Sequence, residues 1–292
     1  MAREFSDFGA AVCSGVPLST LTSFHIGGPA DYFIEPGSID ELARLVERCA
    51  DLEVPFCVIG AGSNLLVADA GLHAAVFRLS RMDRIERRGT RILCEAGTPL
   101  QRLVWQAEQW GLSGLEPLAG IPGTVGGAIA MNAGGQTGCV AETIVSVTTI
   151  DRTGAVRPRT PEDLAMGYRH SLLKPEIAIA ATFELAEADG SEIADRRQAV
   201  LAEKTLTQPL AAQSAGCVFK NPPGRSAGQL IDKAGLKGER VGPAVVSGQH
   251  ANFIINQGGA TARDVLQLIR RVRRRIRKRF GVDLELEIEL WN

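Results

Sequence analysis

Residues 118–135 read LAGIPGTVGGAIAMNAGG, six of eighteen glycine and none charged. Glycine reaches positive φ cheaply and has no side chain to hold a ligand off the backbone. Such a run sets bare N–H groups against something flat or anionic, as phosphate-cradling turns do. A second glycine turn, GAGSN at residues 60–64, follows the apolar run VPFCVI at 54–59, the pattern of a strand ending in an anion-binding turn. Two such segments in one chain point to a large phosphate-bearing cofactor. The shorter turn is not the Rossmann fingerprint, because Asn64–Leu65 stands where the third glycine belongs. No GxxxxGK[ST] occurs either, which disfavours a P-loop ATPase. Ser63 and Asn64 add side-chain donors to the N–H groups of Gly60, Ala61 and Gly62. Gly120, Gly123, Thr124, Gly126 and Gly127 would supply a second wall of N–H groups; close packing of a buried turn is the alternative.

Composition bounds the rest. The chain has 292 residues, 45% hydrophobic, with a net charge of −1. That length suits about two domains, and the near-zero charge gives no global pull toward nucleic acid or anionic membrane. No apolar run approaches the ~20 residues of a membrane span. The N-terminal residues carry acids early and lack an apolar h-region, so no secretory signal is read. Cys13, Cys49, Cys57, Cys94, Cys139 and Cys217 are scattered without a CxxC pair, and His25, His73, His170 and His250 show no ligand spacing. The expectation is a cytoplasmic protein with reduced thiols and no metal.

Helix and strand patterns alternate. SIDE at 38–41 is a capping-box pattern opening an amphipathic stretch to about residue 51. Thr98–Pro99 reads as a helix start, closed by Gly111. Further helices are expected near 192–206, 227–234 and 261–280. Strands are expected at 54–59, 74–79, 144–150, 177–185, 217–219, 244–247, 253–255 and 282–290. The class is α+β, a cofactor half followed by a substrate half.

The strings IGGPAD (26–31), GAGSNLLV (60–67), LAGIPGTVGGAIAMNAG (118–134), GYRHS (167–171), SAGCVFKNP (214–222), AGLKG (234–238) and HANFI (250–254) occur in order. Together they resemble the UDP-N-acetylenolpyruvoylglucosamine reductases, in the shorter-chain (type II) branch, over roughly residues 22–288. The resemblance implies a bipartite FAD-binding module of the vanillyl-alcohol-oxidase (PCMH) type plus a separate α/β substrate-binding domain. The corresponding boundaries are 1–82 and 83–188 for the two FAD-binding subdomains, 189–280 for the substrate domain, and 281–292 for a C-terminal strand with a catalytic Glu. It further implies NADPH-dependent reduction of UDP-N-acetylglucosamine enolpyruvate to UDP-N-acetylmuramate in peptidoglycan precursor synthesis. Asn132 and Gly134 join the glycines above as expected FAD contacts. No His or Cys near 60–64 stands in a flavin-attachment context, so the FAD is expected to be non-covalent.

Reducing an enol ether conjugated to a carboxylate puts charge into that carboxylate and requires a proton at the carbon bearing the ether oxygen. Stabilising developing charge is usually the largest catalytic term. By resemblance, Arg169 of GYRHS takes the carboxylate, as its fork geometry suits. Glu287 in LELEI (284–288) matches the family's C-terminal glutamate, although Leu286 stands where proline is expected. Glu285, Glu287 and Glu289 would share one strand face, and Glu285 is the fallback. Cys217 stands where the family commonly has serine as proton donor. A thiol, with an unperturbed pKa of about 8.5, is the stronger acid and can do the same work. Lys220 and Asn221 are expected to hold substrate, and Lys237 and Arg240 lie in a loop that could meet the UDP pyrophosphate.

Two alternatives stand beside this reading. One is an FAD oxidase of the same fold. The other, of a different class, is nucleic-acid binding through the basic stretch RRVRRRIRKR at 270–279. Against the latter, Val265, Leu268, Ile269, Val272, Ile276 and Phe280 keep a helical apolar stripe, leaving the arginines as a solvated face. The expected partners are therefore a UDP-sugar and NADPH, with no nucleic acid, membrane or obligate protein partner.

Overall fold

The computed structural model describes residues 4, 5, 7, 8 and 12–292. Among them run helices α1 (Ile39–Asp51), α2 (Leu100–Gln109), α3 (Val125–Ala130), α4 (Gly190–Thr207), α5 (Ala227–Lys233) and α6 (Ala262–Phe280), interspersed with strands in an α+β arrangement. Local chemistry sets the ends. Ser38 accepts the Glu41 N–H at 3.2 Å, and the Glu41 carboxylate takes the Gly37 N–H at 2.7 Å. Helix α2 begins one residue later than the sequence suggests, with Pro99 at the cap position and no side-chain cap. Thr261 and Asp264 form a capping box at the start of α6, and Gly281 ends it at φ 66°.

Helix α6 buries Val265, Leu268, Ile269, Val272 and Ile276. Each such burial is worth roughly 1.5–3 kcal/mol. Arg270, Arg273, Arg274, Arg275, Arg277, Lys278 and Arg279 are exposed, and Arg271 pairs with Glu239 at 2.6 Å.

Five sheets form. A four-stranded sheet runs Val12–Pro17, Pro29–Ile34, Leu72–Arg78, Phe56–Ile59; its last two strands are parallel, Phe56 opposite Ala75. A five-stranded sheet runs Val156–Arg159, Ile144–Ile150, Ile177–Glu184, Arg91–Glu95, Ile85–Arg88, all antiparallel. Arg240–Val241, Ala244–Val246 and Ile254–Asn256 make a third, also antiparallel. Ala186–Glu187 pairs with Leu112–Ser113, and Glu289–Trp291 lies parallel to Leu65–Val67.

The chain divides into two compact units, each discontinuous in sequence. The first comprises residues up to Ser14, Asp31–Ala61 and Ala74–Glu203. It holds two apolar cores, one around Leu42, Leu45, Phe77 and Ile179, the other around Leu103, Ile129, Val147 and Phe183. The second comprises Gly15–Ala30, Gly62–His73 and Lys204–Asn292. Its core gathers Phe24, Ile26, Leu66, Val218, Phe219, Leu268 and Leu284.

Two strand expectations need correction. Residues 217–219 form no strand; Cys217 and Phe219 make isolated bridges to Phe253 and Leu286. Of residues 282–290, only the end lies in a strand, Glu289–Trp291. Leu284 and Ile288 are buried as their alternation implies. The ladder breaks because the segment changes partners, from Phe219 at Leu286 to Leu65 at Glu289.

Candidate active site

In the first unit the two glycine segments meet. Strand Phe56–Ile59 ends at Gly60, where an added Cβ would stand 2.6 Å from Thr124 Oγ1. Only glycine lets residue 60 pass this hydroxyl, which itself caps α3 by accepting the Gly127 N–H at 3.3 Å. The wall of N–H groups is narrower than the sequence suggests. Gly120 donates to Gln101 Oε1 at 2.9 Å. Val125 and Gly126 donate to the carbonyls of Thr98 (2.9 Å) and Ala96 (2.8 Å). At Gly126 a Cβ would come within 3.0 Å of Ala96 Cβ, and at Gly134 within 2.5 Å of Cys139 Cβ. These glycines therefore serve close packing. Among the described residues, no acceptor in the chain faces the N–H groups of Gly60, Ala61, Gly123 and Thr124. A strand end and a helix start with open donors fit a pyrophosphate.

Asn132, expected beside the cofactor, is tied into the chain by both ends of its side-chain amide. It is buried, at φ 41°. Its Nδ2 donates to the Gly167 carbonyl at 2.9 Å, and its Oδ1 accepts from Ala141 N at 3.0 Å. Ser171 Oγ donates to the Ala130 carbonyl at 2.8 Å. Both ends of GYRHS are thus tied to the C-terminal end of α3. Gly167 and His170 close the turn on each other, and Arg169 sits within it at φ 53°. A left-handed conformation costs a non-glycine residue of order 1–3 kcal/mol and persists only where the surroundings impose it. The half-buried guanidinium lies 5.4 Å from the Tyr168 ring centroid.

In the second unit Cys217, half-buried, heads a segment held by backbone bonds on two sides. Val218 N donates to the Asn252 carbonyl at 2.8 Å, and Glu287 N to the Val218 carbonyl at 2.8 Å. Lys220 N donates to the Glu285 carbonyl at 2.9 Å. Glu287 is therefore the glutamate level with Val218, the residue after Cys217, and it is half-buried. Glu285 is exposed and lies level with Lys220. Asn64 Nδ2 donates to the Glu287 carbonyl at 3.0 Å, and Asn64 O accepts from Glu289 N at 2.9 Å. The residue read as a cofactor donor is thus also a brace for Glu287. Gly62, at φ 63°, packs where a Cβ would fall 2.1 Å from the Leu21 carbonyl, and Ser63 lies half-buried beside it.

Asn221 Oδ1 accepts from Ala227 N at 2.9 Å, fixing the start of α5. Lys237 pairs with Asp232 at 2.9 Å and Arg240 Nη2 donates to Gln257 at 2.6 Å, so both have local work. Sequence reasoning assigned no role to Asn252. Its only signal was membership of HANFI. A cavity of about 240 Å³ in this unit, lined by Leu66, Asp69, Arg263, Leu266, Arg270 and Leu290 among others, contains none of the candidate residues.

No disulfide joins the six cysteines. Burial pushes the thiols of Cys49, Cys57 and Cys94 up to about 12, which makes them inert. Burial, with Lys237 adding to it, holds the His250 imidazole below its ordinary value. Among the described residues no group of three or more His, Cys, Asp or Glu could hold a metal ion.

Comparison with known proteins places this geometry. Residues 30–158 match the family model described as an FAD binding domain. Residues 208–291 match the C-terminal domain of UDP-N-acetylenolpyruvoylglucosamine reductase. UDP-N-acetylenolpyruvoylglucosamine reductase 2 of Symbiobacterium thermophilum is 44% identical over 94% of this chain and 90% of its own length. The reductase of Moorella thermoacetica is 43% identical over 96% and 93%. The crystal structure of the Thermus caldophilus reductase superposes with a TM-score of 0.85 at 43% identity, covering 95% of this chain and 98% of that one. A solvent-stable cholesterol oxidase, at 16% identity and TM-score 0.51, shares the fold alone over 62% of this chain. The fold is that of the FAD-binding module of the vanillyl-alcohol-oxidase type, followed by the reductase C-terminal domain. The chain belongs to the UDP-N-acetylenolpyruvoylglucosamine reductases, FAD-containing oxidoreductases.

Proposed function

We propose that this chain reduces the enolpyruvyl ether of UDP-N-acetylglucosamine to the lactyl ether of UDP-N-acetylmuramate, supplying peptidoglycan precursor synthesis. The observation that carries the reading is the pairing of the Cys217 segment with Glu287, which sets a thiol and a carboxyl on bonded backbone. Gly60, Ala61, Gly123 and Thr124 would hold the FAD pyrophosphate through main-chain N–H groups, with Gly120, Gly126, Gly127 and Gly134 shaping the loop. Asn132 acts at one remove, by fixing the turn that carries Arg169.

When bound, FAD supplies the hydride, received from NADPH, that adds to the terminal methylene of the substrate. Arg169 pairs its guanidinium with the substrate carboxylate as electron density moves into it. Glu287, as its acid, hydrogen-bonds the same group. Cys217 Sγ gives its proton to the carbon bearing the ether oxygen, completing the saturated lactyl ether, and the thiolate is reprotonated from solvent. Lys220 and Asn221 hold the substrate. No helix of the described residues is long and apolar enough to cross a membrane, and we place the activity in the cytoplasm with small-molecule partners only.

The test is anaerobic. The purified yellow protein is reduced with NADPH, then given UDP-N-acetylglucosamine enolpyruvate while the flavin absorbance is followed. Prompt reoxidation matched by UDP-N-acetylmuramate is expected. Flavin that stays reduced until air is admitted would move the function to an oxidase of the same fold.

A further inference from the structure

Asn252 is 3% exposed and uses all of its side-chain amide on a single residue of the Cys217 segment. Its Oδ1 accepts the Phe219 N–H at 3.0 Å, and its Nδ2 donates to the Phe219 carbonyl at 2.8 Å. Its own carbonyl accepts the Val218 N–H at 2.8 Å. Three bonds from one residue therefore fix the three successive peptides that follow Cys217. A primary amide presents a donor and an acceptor side by side, so it satisfies a residue's N–H and C=O as a neighbouring strand would. No regular ladder does so here, because Cys217 and Phe219 make only isolated bridges. Asn252 is held in turn: its N–H donates to His250 Nδ1 at 3.2 Å, and the next N–H, of Phe253, donates to the His250 carbonyl at 2.9 Å.

We propose that Asn252 is a positioning residue for proton delivery by Cys217. The inference rests on the reading of Cys217 as the proton donor. A Leu or Ala in its place would leave a buried N–H and C=O at Phe219 without partners, and the segment would relax toward others. The thiol would then leave the line it must hold over the reacting carbon. The glycine turns of the first unit would be untouched, so flavin reduction by NADPH should not feel the change.

The experiment uses holoenzyme with Asn252→Ala and Asn252→Asp, each alone and with Cys217→Ala. The aspartate keeps the acceptor for Phe219 N but loses the donor, and serves if the alanine variant folds poorly. Substrate-driven flavin reoxidation should fall about 100-fold in Asn252→Ala, the scale of a misplacement near 1 Å. NADPH-driven reduction should stay within about twofold, because it makes no use of this proton. The rate at which iodoacetamide labels Cys217, read by peptide mapping, should change as well. The double variant should be no slower than Cys217→Ala alone, because the two residues act through one group. Normal reoxidation in Asn252→Ala would overturn the inference. So would loss of FAD with both half-reactions slowed together, or a double variant that multiplies the two losses. A Cys217→Ala enzyme that reoxidises normally would sink the proton-donor reading itself, and this role with it; its own rate, measured without any change at Asn252, tells that failure apart.

Discussion

In the proposed reaction the glycine segments of the first unit and the Cys217 segment of the second both hold chemistry in place, and they do it with different parts of the chain. Around Gly60 and Thr124 the groups offered are main-chain N–H groups, and the specification is the absence of a Cβ. Around Cys217 and Glu287 the groups offered are side chains, and buried or half-buried asparagines set the backbone beneath them, Asn252 on one side and Asn64 on the other. A site made by omission fails when an atom is added. A site made by amides fails when a donor or acceptor is removed.

The largest effect expected from this difference is at Cys217. Cys217→Ala should lower substrate-driven flavin reoxidation by roughly 10²–10⁴, the range for a lost general acid, with reduction by NADPH unchanged. Cys217→Ser should remain active. Stopped-flow measurement of the two half-reactions checks both, and parent-like reoxidation in Cys217→Ala would remove the residue from the mechanism. Arg169→Lys comes next. It keeps the charge but loses the bidentate fork, and reoxidation should fall of order 10²-fold, again with flavin reduction spared. A loss that appears equally in both half-reactions would mean that the strained turn, not the guanidinium, was being tested.

The backbone half breaks in the opposite sense. Gly60→Ala sets a methyl 2.6 Å from Thr124 Oγ1, which must shift and give up its cap on Gly127. Overpacking costs typically about 1–3 kcal/mol, so FAD affinity should fall roughly 10- to 100-fold, measured by titrating apoprotein with FAD. FAD retained at this level should still be reduced by NADPH and reoxidised by substrate at near-parent rates. Unchanged affinity would mean that the two segments need not touch to hold the cofactor.

Why one half was legible in the sequence and the other was not follows from the same difference. Runs such as GAGSN and GIPGTVGG announce a backbone site because few other structures need so many positions without a Cβ. Even there, composition did not tell which N–H groups stay open: those of Gly120, Gly126 and Gly127 go to the chain itself. In the second unit the apolar alternation Leu284, Leu286, Ile288 gave the correct buried face but not the pairing, because the segment exchanges one partner for another within three residues. Nor does any local pattern report that Phe24, Ile26 and Leu66 share a core with Val218 and Leu284. Asn252 was unreadable for the same reason. A buried asparagine is defined by what lies across from it, and Phe219 is far away in sequence.

The smallest effect separates the halves by pH. His250 Nδ1 accepts the Asn252 N–H at 3.2 Å, which requires that nitrogen to be unprotonated. Burial, with Lys237 adding to it, lowers the folded-state pKa below the ordinary 6.5. Between the lowered value and 6.5 the unfolded chain binds a proton that the folded chain does not, so stability rises with pH across that window. The contribution is complete above 6.5 and is lost as pH falls below it, by at most about 1.4 kcal/mol for each step of one in pH. Urea midpoints on either side of 6.5 should therefore show a decline on acidification that His250→Gln flattens. An identical slope in parent and variant would exclude His250 as the source. Protonation at Nδ1 also removes the acceptor of the Asn252 N–H, so substrate-driven reoxidation should hold through that window and weaken only as pH falls to the lowered folded-state value. The first unit's N–H donors do not titrate, and retention of FAD should stay level where the amide-built half begins to loosen.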